Sequence, residues 1–217
     1  MHHPNLLFDL DGTLTDSRLG ITRAIQVALR AEGIDEPDLR ALEVFIGPPL
    51  LQSFMTHYGF DEARAWRAVE AYRVYFRTTG LYENEVYGGI RELLAGLHAA
   101  GRRLYLVTAK PWVFAQEILR HFALTDYFTA LHGSELDGTR GDKTELLRYV
   151  LATEALAPET CLMLGDREHD LIAARENGVA AVALGYGFGS QEELERQRPA
   201  FHFHSVAASA LRQGFGL

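Results

Sequence analysis

The stretch LLFDLDGTLTD places two aspartates, Asp9 and Asp11, two residues apart directly after a short apolar run. Carboxylates this close repel each other and resist leaving water, so a positive group must compensate for them. Residues i and i+2 of an extended segment lie on the same side, so both acids can address the same substrate atom. One of the pair could attack phosphorus, and the other could transfer a proton to or from an oxygen.

Further reactive residues stand at the ends of later apolar runs. Thr108 lies in LVTAK, Asp166 and Asp170 lie in LMLGDREHD, and Lys143 begins a helical pattern in RGDKTELL. Ligands of open α/β sheets bind at the carboxyl ends of the strands, so we expect these side chains to converge on one crevice. The acids favour Mg²⁺, which takes hard oxygen ligands together with substrate phosphate. The lysine, the threonine and backbone N–H groups supply donors for that phosphate.

Short apolar runs alternate with amphipathic helical segments along most of the chain. This alternation predicts an α/β fold with a Rossmann-like, doubly wound parallel sheet that is covered by helices on both faces. The predicted strands are Asn5–Phe8, Leu104–Val107, Phe128–Leu131, Thr160–Leu164 and Val179–Leu184.

Between residues 16 and 87 the pattern is only helical, which predicts an α-helical cap subdomain inserted into a catalytic core of residues 1–15 and 88–217. Two segments rich in glycine or proline are open to two interpretations. GYGFGS (Gly185–Ser190) either walls the pocket or forms a flexible turn. IGPPL (Ile46–Leu50) either presents a loop to the substrate or connects two helices.

Composition narrows the class of protein. The chain has 217 residues, 47% of them hydrophobic, and a formal net charge of -8 without a block of Lys or Arg, which argues against nucleic-acid binding. The single Cys161 excludes an internal disulfide and is typical of a reducing compartment. No apolar run is long enough to span a bilayer, and no basic region precedes the first one. We therefore expect a cytoplasmic protein without membrane contact.

FDLDGTLTDS, followed in order by LVTAK, Lys143 and GDREHD, resembles the haloacid dehalogenase superfamily, and within it the phosphoglycolate-phosphatase-like branch with a helical cap. The resemblance covers essentially the whole chain. It implies that Asp9 is the nucleophile and a metal ligand, and that Asp11 is the general acid/base and offers its backbone carbonyl to the metal. Asp11 also argues against the dehalogenases of the superfamily, which lack an acid at this position.

The resemblance assigns roles to the later motifs as well. Thr108 and Lys143 hold the phosphoryl group, Asp166 completes the metal site, and Asp170 either ligates the ion or supports the site from behind. One departure is TAK where TNK or TSK is common, so a side-chain contact to the substrate is lost. The residues expected to contact the substrate are Leu10, Gly12, Thr13, Ala109 and Lys110.

The predicted activity is that of a Mg²⁺-dependent phosphomonoesterase that acts through an aspartyl-phosphate on a small metabolite, either 2-phosphoglycolate or a nucleoside 5′-monophosphate. A phosphosugar mutase of the same superfamily is the first alternative, because it would share the catalytic residues. A non-enzymatic phospho-acceptor signalling module is the second, although such a module has no need of Asp11. The expected partner is a small-molecule phosphate monoester, and the protein is expected to be a monomer or homodimer.

Overall fold

Six parallel strands form the main sheet of the protein, which a computed structural model describes over residues 3–204 and residue 215. In chain order the strands of the described residues are β1 (Asn5–Phe8), β2 (Thr15–Asp16), β3 (Glu85–Val86), β4 (Arg103–Pro111), β5 (Ala130–Ser134), β6 (Cys161–Gly165), β7 (Ala180–Leu184) and β8 (Phe201–Phe203). The main sheet has the order β5-β4-β1-β6-β7-β8, and β2 pairs with β3 separately. The predicted parallel α/β core is thus confirmed, with β1 beside the point where the strand order reverses.

The α-helices of the described residues follow the strands along the chain. They are α1 (Arg18–Ala31), α2 (Leu50–Tyr58), α3 (Glu62–Tyr75), α4 (Ile90–Ala99), α5 (Trp112–His121), α6 (Lys143–Thr153), α7 (Glu168–Glu176) and α8 (Gln191–Arg196). Short 3-10 helices cover Ala41–Phe45, Thr125–Tyr127 and Pro158–Thr160, and a π-helical turn covers Phe76–Gly80.

The central strands are buried on both faces, which explains their continuous apolar sequences. Leu7 and its register partner Met163 pack in one cluster with Leu147 of α6 and Ala173 of α7. Neighbouring Leu6 points to the opposite face and is also fully buried. A parallel sheet with both faces covered favours apolar residues on both faces of its central strands. This burial fixes the strands whose carboxyl ends carry the reactive residues.

The chain divides into two compact units, with boundaries inside β2 and β3. One unit comprises Met1–Thr15 with Val86–Leu217 and contains the main sheet, and the other comprises Asp16–Glu85 and contains α1 to α3. Within the second unit, the IGPPL segment connects the 3-10 helix Ala41–Phe45 to α2. In the described part of the chain, no helix combines the length and apolar character that crossing a membrane would need.

Three local features differ from the sequence prediction. The edge strand β8 (Phe201–Phe203) was not predicted, and its residues are exposed or half-buried rather than forming a buried apolar run. The strand predicted at Phe128–Leu131 is observed at Ala130–Ser134, because the N–H of Phe128 closes a turn onto the carbonyl of Thr125 and ladder pairing with β4 begins only at Ala130. The two-residue strands β2 and β3 are too short to show any alternation of apolar and polar residues, and the sequence analysis missed them.

Candidate active site

Three buried carboxylates meet at the carboxyl ends of the central strands. Asp9 follows β1, Asp166 follows β6, and Asp170 lies in the first turn of α7. Each offers a carboxylate oxygen within 4.8 Å of those of the other two, and their exposed fractions are 7%, 0% and 2%. We call this group the carboxylate cluster. It occupies the position where open α/β sheets bind their ligands.

Lys143 is the ammonium group that enters the carboxylate cluster. Its Nζ donates to Oδ1 of Asp9 at 2.7 Å and lies 2.8 Å from Oδ1 of Asp170. Lys143 is the first residue of α6, where the side chain of Asp142 caps the helix by accepting from the N–H groups of Thr144 and Glu145. The cap fixes where the helix begins, and this start directs the lysine into the crevice.

The cluster carries more negative charge than one lysine compensates. Burial raises the pKa of Asp9 to about 6. Lys143 opposes this shift, and repulsion from Asp170 adds to it. Burial and repulsion from Asp170 and Asp9 raise the pKa of Asp166 well above its usual range. Burial alone would lower the pKa of Lys143, but the two carboxylates outweigh burial and raise it. Three buried acids with this excess charge fit a hard divalent cation such as Mg²⁺.

Asp11 lies outside the carboxylate cluster and pairs with another buried lysine. Nζ of Lys110 donates to Oδ2 of Asp11 at 2.8 Å and to Oδ1 at 3.0 Å. Sequence reasoning assigned Lys110 only to substrate contact and did not foresee this pairing. Asp11, which lies two residues after Asp9 and is expected to transfer protons, is therefore paired with the ammonium group of Lys110.

The backbone after Asp11 passes directly against Asp166. Gly12 has a φ of +83°, and a Cβ at this position would lie 2.1 Å from Oδ2 of Asp166. Only glycine combines this backbone conformation with such a close approach. The N–H groups of Gly12 and Thr13 donate to the carbonyls of Thr15 and Leu10, so the turn satisfies them internally.

Both oxygens of Asp166 accept hydrogen bonds. The hydroxyl of Thr13 donates to Oδ1 at 3.1 Å, and the backbone N–H of Phe188 donates to Oδ2 at 2.8 Å. In the same segment, Tyr186 donates its hydroxyl to the carbonyl of Thr13 at 2.8 Å, and a Cβ on Gly187 would lie 2.4 Å from Oδ2 of Asp166. These contacts favour the interpretation of Gly185–Ser190 as a wall of the site. The contribution of Phe188 was missed, and the only sequence signal for it was the run of glycines after β7.

Thr108 and Ala109, two further predicted site residues, lie near the end of β4, and Asp170 lies in the first turn of α7. Thr108 is 2% exposed near the end of β4, and its Oγ1 accepts from the N–H of Lys110 at 3.3 Å. The carbonyl of Ala109 accepts from the hydroxyl of Ser134 at 2.7 Å. Asp170 accepts from the N–H of Arg167 through Oδ2, which anchors the acid at the start of α7.

A model of the haloacid dehalogenase-like hydrolase family matches residues 6–184 of the chain. A 5′-nucleotidase of Pseudomonas aeruginosa is 61% identical over 213 residues, which cover 98% of this chain and 96% of that protein. The tyrosine-protein kinase PtkA of Mycobacterium tuberculosis is 35% identical over 98% of this chain and 72% of its own length. A phosphoglycolate phosphatase of Vibrio vulnificus is 32% identical over 93% and 92%.

Solved structures show the same fold. The crystal structure of a predicted phosphatase from Clostridium acetobutylicum superimposes with a TM-score of 0.95, at 42% sequence identity and with 99% of both chains covered.

Proposed function

The chain belongs to the haloacid dehalogenase-like hydrolase family and is a phosphoric monoester hydrolase, and we propose that it hydrolyses nucleoside 5′-monophosphates in a Mg²⁺-dependent reaction through an aspartyl-phosphate on Asp9. The observation that carries this proposal is the carboxylate cluster with the ammonium group of Lys143 inside it. A further acid, Asp11, lies two residues after Asp9 of the cluster. Such a constellation serves a nucleophilic carboxylate, a proton-transfer group and an anion-binding cation at one place.

We assign the chemical steps to two acids of this crevice. A carboxylate oxygen of Asp9 forms a bond to phosphorus, the ester bond breaks, and Asp11 gives its proton to the leaving oxygen. In the second half, Asp11 takes a proton from water, the water oxygen bonds to phosphorus, and the Asp9–phosphorus bond breaks to release phosphate. The Nζ of Lys143 fixes one oxygen of Asp9 and offers positive charge to the phosphoryl group.

The metal would be held by Asp9, Asp166 and the backbone carbonyl of Asp11, with Asp170 as a ligand or as a support for the others. When bound, Mg²⁺ supplies positive charge that offsets the carboxylates and polarises the phosphoryl oxygens. The hydroxyl of Thr13 and the N–H of Phe188 orient Asp166 for this role.

The choice of a nucleotide over 2-phosphoglycolate is supported by similarity. The relative named 5′-nucleotidase shares 61% of residues with this chain, against 32% for the one named phosphoglycolate phosphatase. Both cover nearly the whole chain, so the comparison is between like lengths. We therefore favour the nucleotide as the substrate.

A substrate panel tests the proposal. We expect phosphate release from nucleoside 5′-monophosphates with Mg²⁺, none after chelation by EDTA, and a lower kcat/KM for 2-phosphoglycolate. Asp9→Asn, the negative control, should abolish turnover while the circular dichroism spectrum stays that of the wild type. Isomerisation of a hexose 1-phosphate without phosphate release would instead identify a mutase, and turnover by Asp9→Asn would exclude the covalent route.

A further inference from the structure

Only two of the 21 lysine and arginine residues of the chain are lysines, and both are buried against the acids of FDLDGT. Lys143 contacts Asp9, and the proposed reaction already uses this pair. Lys110 contacts Asp11, and its Nζ lies 2.8 Å from one oxygen of that carboxylate and 3.0 Å from the other. A lysine carries a compact ammonium on a flexible stem, which suits a narrow space beside a carboxylate. The second pair therefore needs a function of its own.

The backbone that carries Lys110 is an irregular part of β4. Between two successive register pairs with β5, β4 advances three residues while β5 advances one, so Ala109 and Lys110 form a bulge. The hydroxyl of Ser134 donates to the carbonyl of Ala109 at 2.7 Å, and the N–H of Lys110 donates to Oγ1 of the preceding threonine at 3.3 Å. On the neighbouring strand, a Cβ at Gly133 would lie 2.6 Å from the carbonyl oxygen of Lys110. Bulges of this kind are frequent beside active sites, where they redirect a side chain.

Contact with both oxygens restricts how the carboxylate of Asp11 can turn. The last torsion of an aspartate is broad, so a carboxylate without partners samples many orientations, whereas an ammonium at both oxygens holds it in one. An ionised carboxylate has about four acceptor sites, so the contacts with Lys110 leave others open for the proton that Asp11 transfers. The side chain of Lys110 is 5% exposed and that of Asp11 is 12% exposed, so the acid is the more accessible member of the pair.

We propose that Lys110 is a positioning residue, which holds the carboxylate of Asp11 in the orientation in which that acid transfers protons and acts on the reaction only through Asp11. The inference rests on the proposed function, because it takes Asp11 as the proton-transfer group. Displacement of a reacting group by about 1 Å can cost about 10²-fold in rate, so loosening the acid should be visible in the kinetics. A direct contact between Lys110 and the substrate is the alternative, and the kinetics distinguish the two.

Lys110→Met tests the proposal, because it removes the ammonium and keeps most of the volume of the side chain. We expect kcat/KM for adenosine 5′-monophosphate to fall about 10–100-fold, and kcat/KM for p-nitrophenyl phosphate to fall much less, because p-nitrophenolate departs without a proton. A general loss of structure, or of a contact with the phosphoryl group, would lower both values alike. Equal losses on the two substrates, or no loss on either, would overturn the inference.

The double variant Lys110→Met/Asp11→Asn tests whether the lysine acts through the acid. If it does, adding Lys110→Met to Asp11→Asn should not lower kcat/KM for adenosine 5′-monophosphate further, because no proton-transferring carboxylate is left to position. Losses that multiply would show that Lys110 acts on the substrate itself and would overturn the inference. Arg140→Met is the matched control, because Arg140 is a partly buried cation that pairs with Glu135 after the neighbouring strand β5. It should leave the ratio of the two kcat/KM values unchanged.

Lys110→Met leaves Asp11 without its cation, so circular dichroism is used to check that the variant folds. If it does not fold, Lys110→Gln takes its place, because an amide still donates to one oxygen of Asp11. This variant should show the same difference between the two substrates at a smaller size. Losses on the two substrates that are equal would again refute the inference.

The inference and the proposed function fail separately. If no nucleotide is hydrolysed, the proposed function is wrong, and phenyl phosphate replaces the nucleotide in the test, because phenolate is a far more basic leaving group than p-nitrophenolate. If Asp11→Asn shows the difference between the substrates and Lys110→Met does not, only the inference is wrong. If neither variant shows it, the role assigned to Asp11 is wrong as well.

Discussion

Replacement of Lys143 by methionine should destabilise the protein by an amount that depends strongly on pH. Nζ of Lys143 is 2.7 Å from an oxygen of Asp9 and 2.8 Å from one of Asp170, and all three side chains are buried. Methionine keeps most of the volume of the side chain and removes its charge. Removing one partner of a buried ion pair costs about 3–5 kcal/mol, because the remaining charges are left uncompensated.

Proton binding limits this cost at low pH. The folded-state pKa of Asp9 is raised from 3.8 to about 6, and Lys143 is one of the groups that holds it down. Without the lysine this pKa rises further, and below it the variant avoids the repulsion by keeping Asp9 protonated. A carboxyl group with a raised folded-state pKa contributes stability at low pH that is lost as the pH rises through that value. Between the two pKa values of Asp9, that of the wild type and that of the variant, each pH unit increases the destabilisation of the variant relative to the wild type by up to about 1.4 kcal/mol.

Urea unfolding followed by circular dichroism, in EDTA, measures the effect. We expect a small difference between variant and wild type at about pH 5, and one that grows toward 3–5 kcal/mol at about pH 8. Lys110→Met is the matched control, because Lys110 is also buried but pairs with Asp11 outside the carboxylate cluster. The destabilisation caused by Lys110→Met should depend less on pH. A destabilisation by Lys143→Met that is equal at both pH values would refute the reasoning.

Three further results are expected. Asp11→Asn should lower kcat/KM for a nucleotide far more than for p-nitrophenyl phosphate, whose leaving group needs no proton, because kcat/KM reports the step in which the leaving group departs; equal losses on both substrates would contradict this role. Gly187→Ala should weaken Mg²⁺ binding about 10–100-fold in calorimetry, because the new Cβ displaces Asp166, whereas an unchanged affinity would contradict this. The rise in Tm on adding Mg²⁺ should increase from about pH 5 to pH 7, since the ion must displace protons from Asp9 and Asp166, whose pKa values are raised.

The central strands of the sheet were predictable because they are buried on both faces, so their sequences are largely apolar runs, whereas the edge strand β8, whose residues are exposed or half-buried, was missed. The acids at the strand ends could also be located, since Asp9 and Asp166 directly follow or nearly follow such runs. A pattern of this kind depends only on residues that are close in the chain. It can therefore be recognised from the sequence without knowledge of the folded structure.

Other parts of the site depend on contacts that no local pattern encodes. Lys110, which pairs with Asp11, lies where β4 shifts register against β5, between Thr108 and Pro111, and such a shift depends on the pairing of two strands that are distant in the sequence. The N–H of Phe188 reaches Asp166 through a loop whose path is decided by packing.

Gly12 and Gly187 approach Asp166 from separate parts of the chain, and neither leaves room for a Cβ. The acid is thus confined between two stretches of bare backbone and has little freedom to change rotamer. A methyl group at either position would push on the same carboxylate, so substitutions at Gly12 and at Gly187 would disturb the same acid. At Gly88, by contrast, an added Cβ would meet nothing within 4 Å, so a substitution there would not push on the acid.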